Sequence, residues 1–179
     1  MNGLLAFVNQ NDFRVSRHLV GWHPPRWFRI WMIAATRLSD FWLWLITGLL
    51  LVAGGVHGLD VLGAATVAAA VANALLVLLK RRFRRLRPCD REPNPHFTLT
   101  YRPQFRGDAF SFPSGHSLNA FAVGTVVALA FPSLSLLALL VAASVAASRV
   151  FLGLHFLTDV IVGAALGAAI GVSAFRILL

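Results

Sequence analysis

Cysteine, tyrosine and acidic residues are all scarce in this 179-residue chain: it has one Cys, one Tyr and seven Asp or Glu. A lone Cys89 excludes an intramolecular disulfide and a thiolate metal cluster, and reads by itself as an ordinary loop residue. Asp90, Glu92 and Asp108 are scattered through one polar stretch, so no carboxylate cluster offers a metal site, and neither metal nor cofactor is expected. Charge is thin as well: 13% of residues carry it, where a soluble domain would have about a quarter. The opening MNGLLAFVNQ has neither a basic n-region nor a long apolar core, so no cleaved signal peptide is expected.

What fills the chain instead is hydrocarbon. Hydrophobic residues make up 58% and the mean hydropathy is +0.72, the composition of a multi-spanning membrane protein. Five segments are apolar and close to spanning length: 40–56, 61–79, 117–131, 136–149 and 156–177. In lipid their backbone polar groups must be satisfied internally, which makes them helices. The expected fold is therefore an all-α integral membrane bundle of about five spans. Residues 40–179 form its transmembrane domain, and 81–113 form one long Arg- and Pro-rich loop. A loop of that length usually carries function.

Residues 1–39 read differently. Helical spacing over Arg26–Leu38 puts Arg26, Arg29 and Arg37 on one side and Trp27, Phe28, Trp31, Ala35 and Leu38 on the other. That pattern predicts an amphipathic helix in the headgroup plane; the competing reading is a sixth span with Arg29 snorkelling. All five tryptophans lie between Trp22 and Trp44, as membrane-interface anchoring would have it.

The net charge of +9 does not indicate nucleic acid, because the aromatics of a single-strand groove are not interleaved with the basic residues. The partners expected are the bilayer and an anionic lipid. Gly163, Gly167 and Gly171, at four-residue spacing, let helices approach closely. Packing inside the monomer is the favoured use of that stripe, with homodimerisation the alternative.

Counting spans brings three distant clusters to one membrane face: Lys80–Pro88 (KRRFRRLRP), Phe112–Ser117 (FPSGHS) and Ser148–Asp159 (SRVFLGLHFLTD). Ionisable groups converging at span ends point to a functional site. Taken singly, each has a plainer explanation: a stop-transfer cluster, a turn, a structural ion pair. Together they suit phosphate. Lys80, Arg87 and Arg149 supply fixed positive charge, and Ser114–Gly115 open a helix whose N–H groups favour an anion. His155 and Asp159 stand i, i+4, close enough for the carboxylate to accept a bond from one ring nitrogen and leave the other as nucleophile. His116, on another helix, is placed to protonate a leaving oxygen. Arg82, Arg84, Arg85, Arg91, Arg102 and Arg106 could meet a second phosphate, but most read as contacts to anionic headgroups.

Lys80 with Arg87-Pro88, then Pro113-Ser114-Gly115-His116, then Ser148-Arg149 with His155 and Asp159 resembles the three-part signature of the type 2 phosphatidic acid phosphatase (PAP2) superfamily. The resemblance implies a metal-independent phosphatase. In it His155 attacks phosphorus to give a phosphohistidine, Asp159 orients His155, and His116 protonates the leaving group and then activates water. Lys80, Arg87, Ser114, Gly115 and Arg149 would hold the phosphoryl oxygens. The superfamily also includes soluble acid phosphatases and vanadate haloperoxidases, but membrane embedding favours lipid phosphates or diphosphates: phosphatidic acid, phosphatidylglycerol phosphate or polyprenyl diphosphate, including recycling of an undecaprenyl carrier. A non-catalytic anion-binding membrane protein is the reading from another class. The integral-membrane relatives commonly have six spans, so a lateral opening for lipid bordered by Trp27, Trp31 and Trp42 is a further expectation. A bacterial inner membrane is the expected location. The twelve basic residues left on the site's side after three proposed ligands are set aside, against Arg176 alone opposite, argue for a cytoplasmic site. The habit of bacterial relatives argues for a periplasmic one.

Overall fold

Small residues decide how the helices meet. The computed structural model describes residues 2–39, 42–88 and 110–179, and among these the architecture is all-helical. In chain order the helices are α1 (Asn2–Gly21), α2 (Arg26–Leu38), α3 (Trp42–Ala53), α4 (Gly55–Phe83), α5 (Gly115–Ala130), α6 (Ser135–Phe151) and α7 (Leu157–Leu178). A short 3₁₀ turn, Pro132–Leu134, joins α5 to α6.

At the centre lies α5, flanked by α4, α6 and α7, with Leu118, Ala122 and Val126 buried at four-residue spacing. Towards it α4 turns a stripe of Val61, Ala64, Ala65, Ala68 and Ala72. Alanines at these positions let the helix axes close up without leaving voids. The glycine stripe of α7 goes further. A methyl built on Gly163 would lie 2.7 Å from the Ser114 carbonyl oxygen, and one on Gly171 would lie 2.5 Å from that of Ala122. At Gly167 it would collide with the Leu118 carbonyl. Glycine is required along this seam because backbone packs on backbone, and the stripe serves the chain's own bundle as the sequence favoured.

That seam also fixes direction. Gly163 lies over residues 114–118 and Gly171 over 122–125, so α5 and α7 run the same way, both leaving from one end of the bundle. At the other end His57, in the first turn of α4, meets Phe131 edge-on at 5.3 Å, which brings the α3–α4 and α5–α6 turns together. The alternation inferred from counting spans is thus observed.

Span lengths differ from the expectation of five near-equal crossings. Helices long and apolar enough to cross are Gly55–Phe83, Pro132–Phe151 and Leu157–Leu178, with α2 and α3 passing together as a bent pair. The 12 residues of α3 cover about 18 Å at 1.5 Å per residue, too little to cross alone, and the 16 of α5 reach about 24 Å. The apolar run 40–56 joins α3 to the first two residues of α4, with only Gly54 between the two helices. Helix α2 has the predicted limits, but it buries Met32, Ala35 and Thr36, while Trp27, Trp31 and Leu38 are exposed. Helix α1 was not foreseen as an element. Residues 89–109, which hold Cys89, Asp90, Arg91, Glu92, Arg102, Arg106 and Asp108, lie outside the described residues, as does the Trp42 side chain.

Candidate active site

Four helix ends assemble the site. Helix α4 finishes one turn beyond Lys80: Arg84 takes a left-handed conformation (φ 46°) and gives its N–H to the Lys80 carbonyl, turning the chain out of the helix. The segment that follows pairs with the approach to α5. Leu86 bridges Phe110, the Ser111 N–H donates to the Arg85 carbonyl at 2.7 Å, and the Ser111 hydroxyl donates to the Leu86 carbonyl at 3.2 Å. Ser114 then caps α5, its hydroxyl oxygen accepting from the Ser117 hydroxyl at 2.9 Å, while its own N–H donates to the Asp159 carbonyl at 3.0 Å. Opposite, α6 ends at Phe151, and Gly153, in the left-handed region at φ 66°, folds the chain back. The N–H groups of Leu154 and His155 both donate to the Arg149 carbonyl, at 3.0 and 3.1 Å.

His155 is 2% exposed. Its Nδ1 lies 2.7 Å from the Ser111 carbonyl oxygen. A carbonyl only accepts, so Nδ1 carries the proton and Nε2 keeps its lone pair. The Asp159 carboxylate stands 3.8 Å from Nδ1, in ion-pair range but beyond a hydrogen bond. The i, i+4 spacing correctly brought the two residues together. The direct bond expected between them goes instead to Ser111, a main-chain acceptor that a side-chain pattern cannot reveal. Burial pushes the His155 imidazole down from 6.5 to about 3, the cations Arg149 and Arg87 push the same way, and Asp159 opposes them. His155 is therefore neutral at physiological pH.

Lys80 and Arg149 are buried, and Arg87 and His116 are partly buried. Arg87, Arg149 and Asp159 all act electrostatically on Lys80, and the same three act on His155. The structure thus gathers Lys80, Arg87, Arg149, His155 and Asp159 into one charged cluster. Ser114 is fully buried at its edge, with Gly115 and His116 forming the first turn of α5. Among the described residues no three His, Cys, Asp or Glu side chains group as metal ligands would.

Several participants were invisible in the sequence. Arg85, expected with most of its neighbours at lipid headgroups, turns inward: Nη1 donates to Asp159 Oδ1 at 2.6 Å and Nη2 to Asp12 Oδ2 at 2.6 Å. Thr36 of α2 lies 2.6 Å from the Ser148 hydroxyl and accepts from Arg149 Nη1 at 3.4 Å. One signal was available for Asp12, because it is the sole acidic residue among the first 39.

Fold and site together define a helical membrane protein with a buried imidazole and carboxylate among fixed cations at one end of its bundle. A family model described as the PAP2 superfamily matches residues 59–179, and the chain belongs to that superfamily. Among curated proteins it is 42% identical over 78 residues to phosphatidylglycerophosphatase B of Bacillus subtilis, covering 37% of this chain and 38% of that protein. It is 38% identical over 101 residues to decaprenylphosphoryl-5-phosphoribose phosphatase of Mycobacterium tuberculosis, covering 56% of this chain and 52% of the relative. The chain thus matches only about two fifths to one half of the length of these curated relatives. Among solved structures, the PAP2-type phosphatidylglycerolphosphate phosphatase of Bacillus subtilis superposes with a TM-score of 0.69 at 27% identity, covering 93% of this chain and 84% of that one. LpxE of Aquifex aeolicus shares the fold, with a TM-score of 0.72 at 20% identity over 91% of this chain and 93% of its own.

Proposed function

We propose that this protein is a membrane-embedded phosphatase that releases phosphate from a lipid phosphate or diphosphate through a phosphohistidine on His155. The observation that carries the proposal is the bond from Nδ1 to the Ser111 carbonyl, which fixes the tautomer and leaves the lone pair on Nε2. The names of the curated relatives, both phosphatases of lipid phosphates, support the substrate class.

In the first step Nε2 forms a bond to phosphorus as the bond from phosphorus to the lipid oxygen breaks. That oxygen takes a proton from His116. In the second, water gives a proton back to His116 and attacks phosphorus, the N–P bond breaks, and inorganic phosphate leaves. Lys80, Arg87 and Arg149 hold the equatorial oxygens, where the transition state concentrates negative charge. Asp159, near Nδ1, offsets the positive charge that the ring acquires on phosphorylation. Ser114 contributes by fixing the first turn of α5, whose Gly115 N–H would donate to the anion.

The N-terminal segment is assigned to the headgroup region. Phe28 packs on Phe151 at 4.9 Å while Thr36 reaches Ser148, so two turns of α2, about 12 Å, rest on one turn of α6. A helix placed that way lies across the end of α6, as an interfacial helix would. Exposed Trp27 and Trp31 then border the route by which lipid enters.

Phosphate release from phosphatidic acid, phosphatidylglycerol phosphate and undecaprenyl diphosphate in detergent tests the proposal. The purified protein should act on at least one of them and His155→Ala on none. Full activity in His155→Ala would overturn it.

A further inference from the structure

Arg85 lies in the Lys80–Pro88 cluster but is none of the proposed phosphate ligands, yet it touches the nucleophile's surroundings at four points, one of them the Thr158 hydroxyl oxygen, which accepts from Nη1 at 2.9 Å. Its backbone carbonyl accepts from the Ser111 N–H at 2.7 Å, and the carbonyl of Ser111 is the acceptor that fixes His155. Its Nη1 donates to Asp159 Oδ1, opposite the Oδ2 that accepts the Phe156 N–H at 2.9 Å. Its guanidinium lies over the Phe156 ring, 4.2 Å from the centroid, between His155 and the start of α7.

The other half of this arrangement comes from α1. Asp12, 3% exposed, takes Nη2 of Arg85 on Oδ2, and the Thr158 hydroxyl donates to the same oxygen. Its Oδ1 accepts the Thr158 N–H at 3.2 Å, supplying from another helix an acceptor for an orphan donor at the N-terminus of α7. The next residue, Phe13, packs edge-on against Phe156 at 5.1 Å. Asp12 and Phe13 thus grip the two members of the arginine–aromatic pair. Removing Arg85 would leave two buried carboxylates on either side of Thr158, repelling one another with no intervening cation. A buried ion pair of this kind adds little net stability, so its value lies in placement.

We propose that Arg85 and Asp12 are positioning residues for the His155–Asp159 pair. The docking of α1 then completes the active site through the bridge from Asp12 to Arg85 to Asp159. Neither residue needs to touch substrate, so their loss should appear in kcat and not in KM. This inference rests on the phosphatase reading above.

The test is steady-state phosphate release by the full-length chain in detergent, on whichever of the three lipid substrates it turns over. Arg85→Gln should lower kcat about 100-fold and Asp12→Asn about tenfold, each with KM within threefold of wild type. Because Asp12 and Arg85 share one network, the double variant should lose less than the product of the two single losses. Asp12→Glu should recover most of the lost rate. Exposed Arg81, in the same basic run, provides the control, and Arg81→Gln should stay within threefold in both parameters. Should Arg85→Gln not purify as a folded species, Arg85→Lys keeps the charge but cannot fork to both carboxylates, and its kcat should fall about tenfold. Four results would overturn the inference: wild-type kcat in Arg85→Gln or Arg85→Lys, a raised KM with kcat unchanged, multiplicative losses in the double variant, or an equal loss in Arg81→Gln. The His155→Ala control separates the two claims. If it is active, the reading of His155 as nucleophile fails. If it is inactive while Arg85→Gln and Asp12→Asn turn over like wild type, only the positioning role fails.

Discussion

Residues 59–179 and residues 2–39 both contribute to the same end of the bundle, but by different means. The first stretch, matched by the family model, supplies the proposed nucleophile, its acid and the phosphate-binding cations from consecutive helix ends. The second supplies groups that touch those residues from outside: Asp12 on Arg85, Phe13 on Phe156, Thr36 on Ser148 and Arg149. A short α-helical bundle can set reactive groups within reach of each other. Holding them in one orientation takes further contacts, and here the amino-terminal helices provide them.

Variants can sharpen that division. The largest effect is expected inside the matched stretch, where His116→Ala should lower kcat by about 10²- to 10⁴-fold, the usual range for a lost general acid–base. With a substrate whose leaving group needs no proton, the first half-reaction should recover most of its rate in single-turnover measurements of leaving-group release; equal loss there on both substrates would remove His116 from the acid role. A smaller effect concerns stability against pH. The His155 imidazole binds its proton more weakly when folded than when unfolded, so acid favours the unfolded chain. This contribution is complete above about pH 6.5 and is lost as pH falls toward 3, at up to about 1.4 kcal/mol per unit. Thermal denaturation in detergent between pH 8 and 4 should therefore show a steeper decline for wild type than for His155→Gln. Identical declines would place the proton elsewhere. The smallest effect falls in the amino-terminal region. Thr36→Val keeps the volume but removes the hydroxyl that meets Ser148 and Arg149, and should raise KM about fivefold, the worth of roughly 1 kcal/mol. An unchanged KM would mean that α2 does not steer Arg149.

The same division explains what could be read in advance. The direction of the helices was legible because hydrophobic runs and turn residues report it, and along the Gly163–Gly171 seam α5 and α7 leave from one end. The cluster of Lys80, Arg87, Arg149, His155 and Asp159 was legible because charge next to hydrocarbon has few inexpensive explanations. Arg85 was not, since one arginine among the six basic residues from Lys80 to Arg87 carries no mark of facing inward. Nor could a side-chain pattern show that Ser111 acts through its carbonyl. Asp12 had its mark, an acid alone in a basic segment, but its partner is 73 residues away and no local period links them. The length of the span beginning at residue 40 was not legible because hydropathy runs on without a break through Gly54, where α3 gives way to α4.

The central claim is that His155 carries the phosphoryl group between the two half-reactions. Rapid acid-free quenching of the protein during turnover of a ³²P-labelled lipid phosphate measures this directly. Wild type should retain label that is stable to alkali and lost in acid, mapping to the peptide that holds His155, while His155→Ala retains none. Steady turnover with no such label in wild type, or equal label in His155→Ala, would contradict the account.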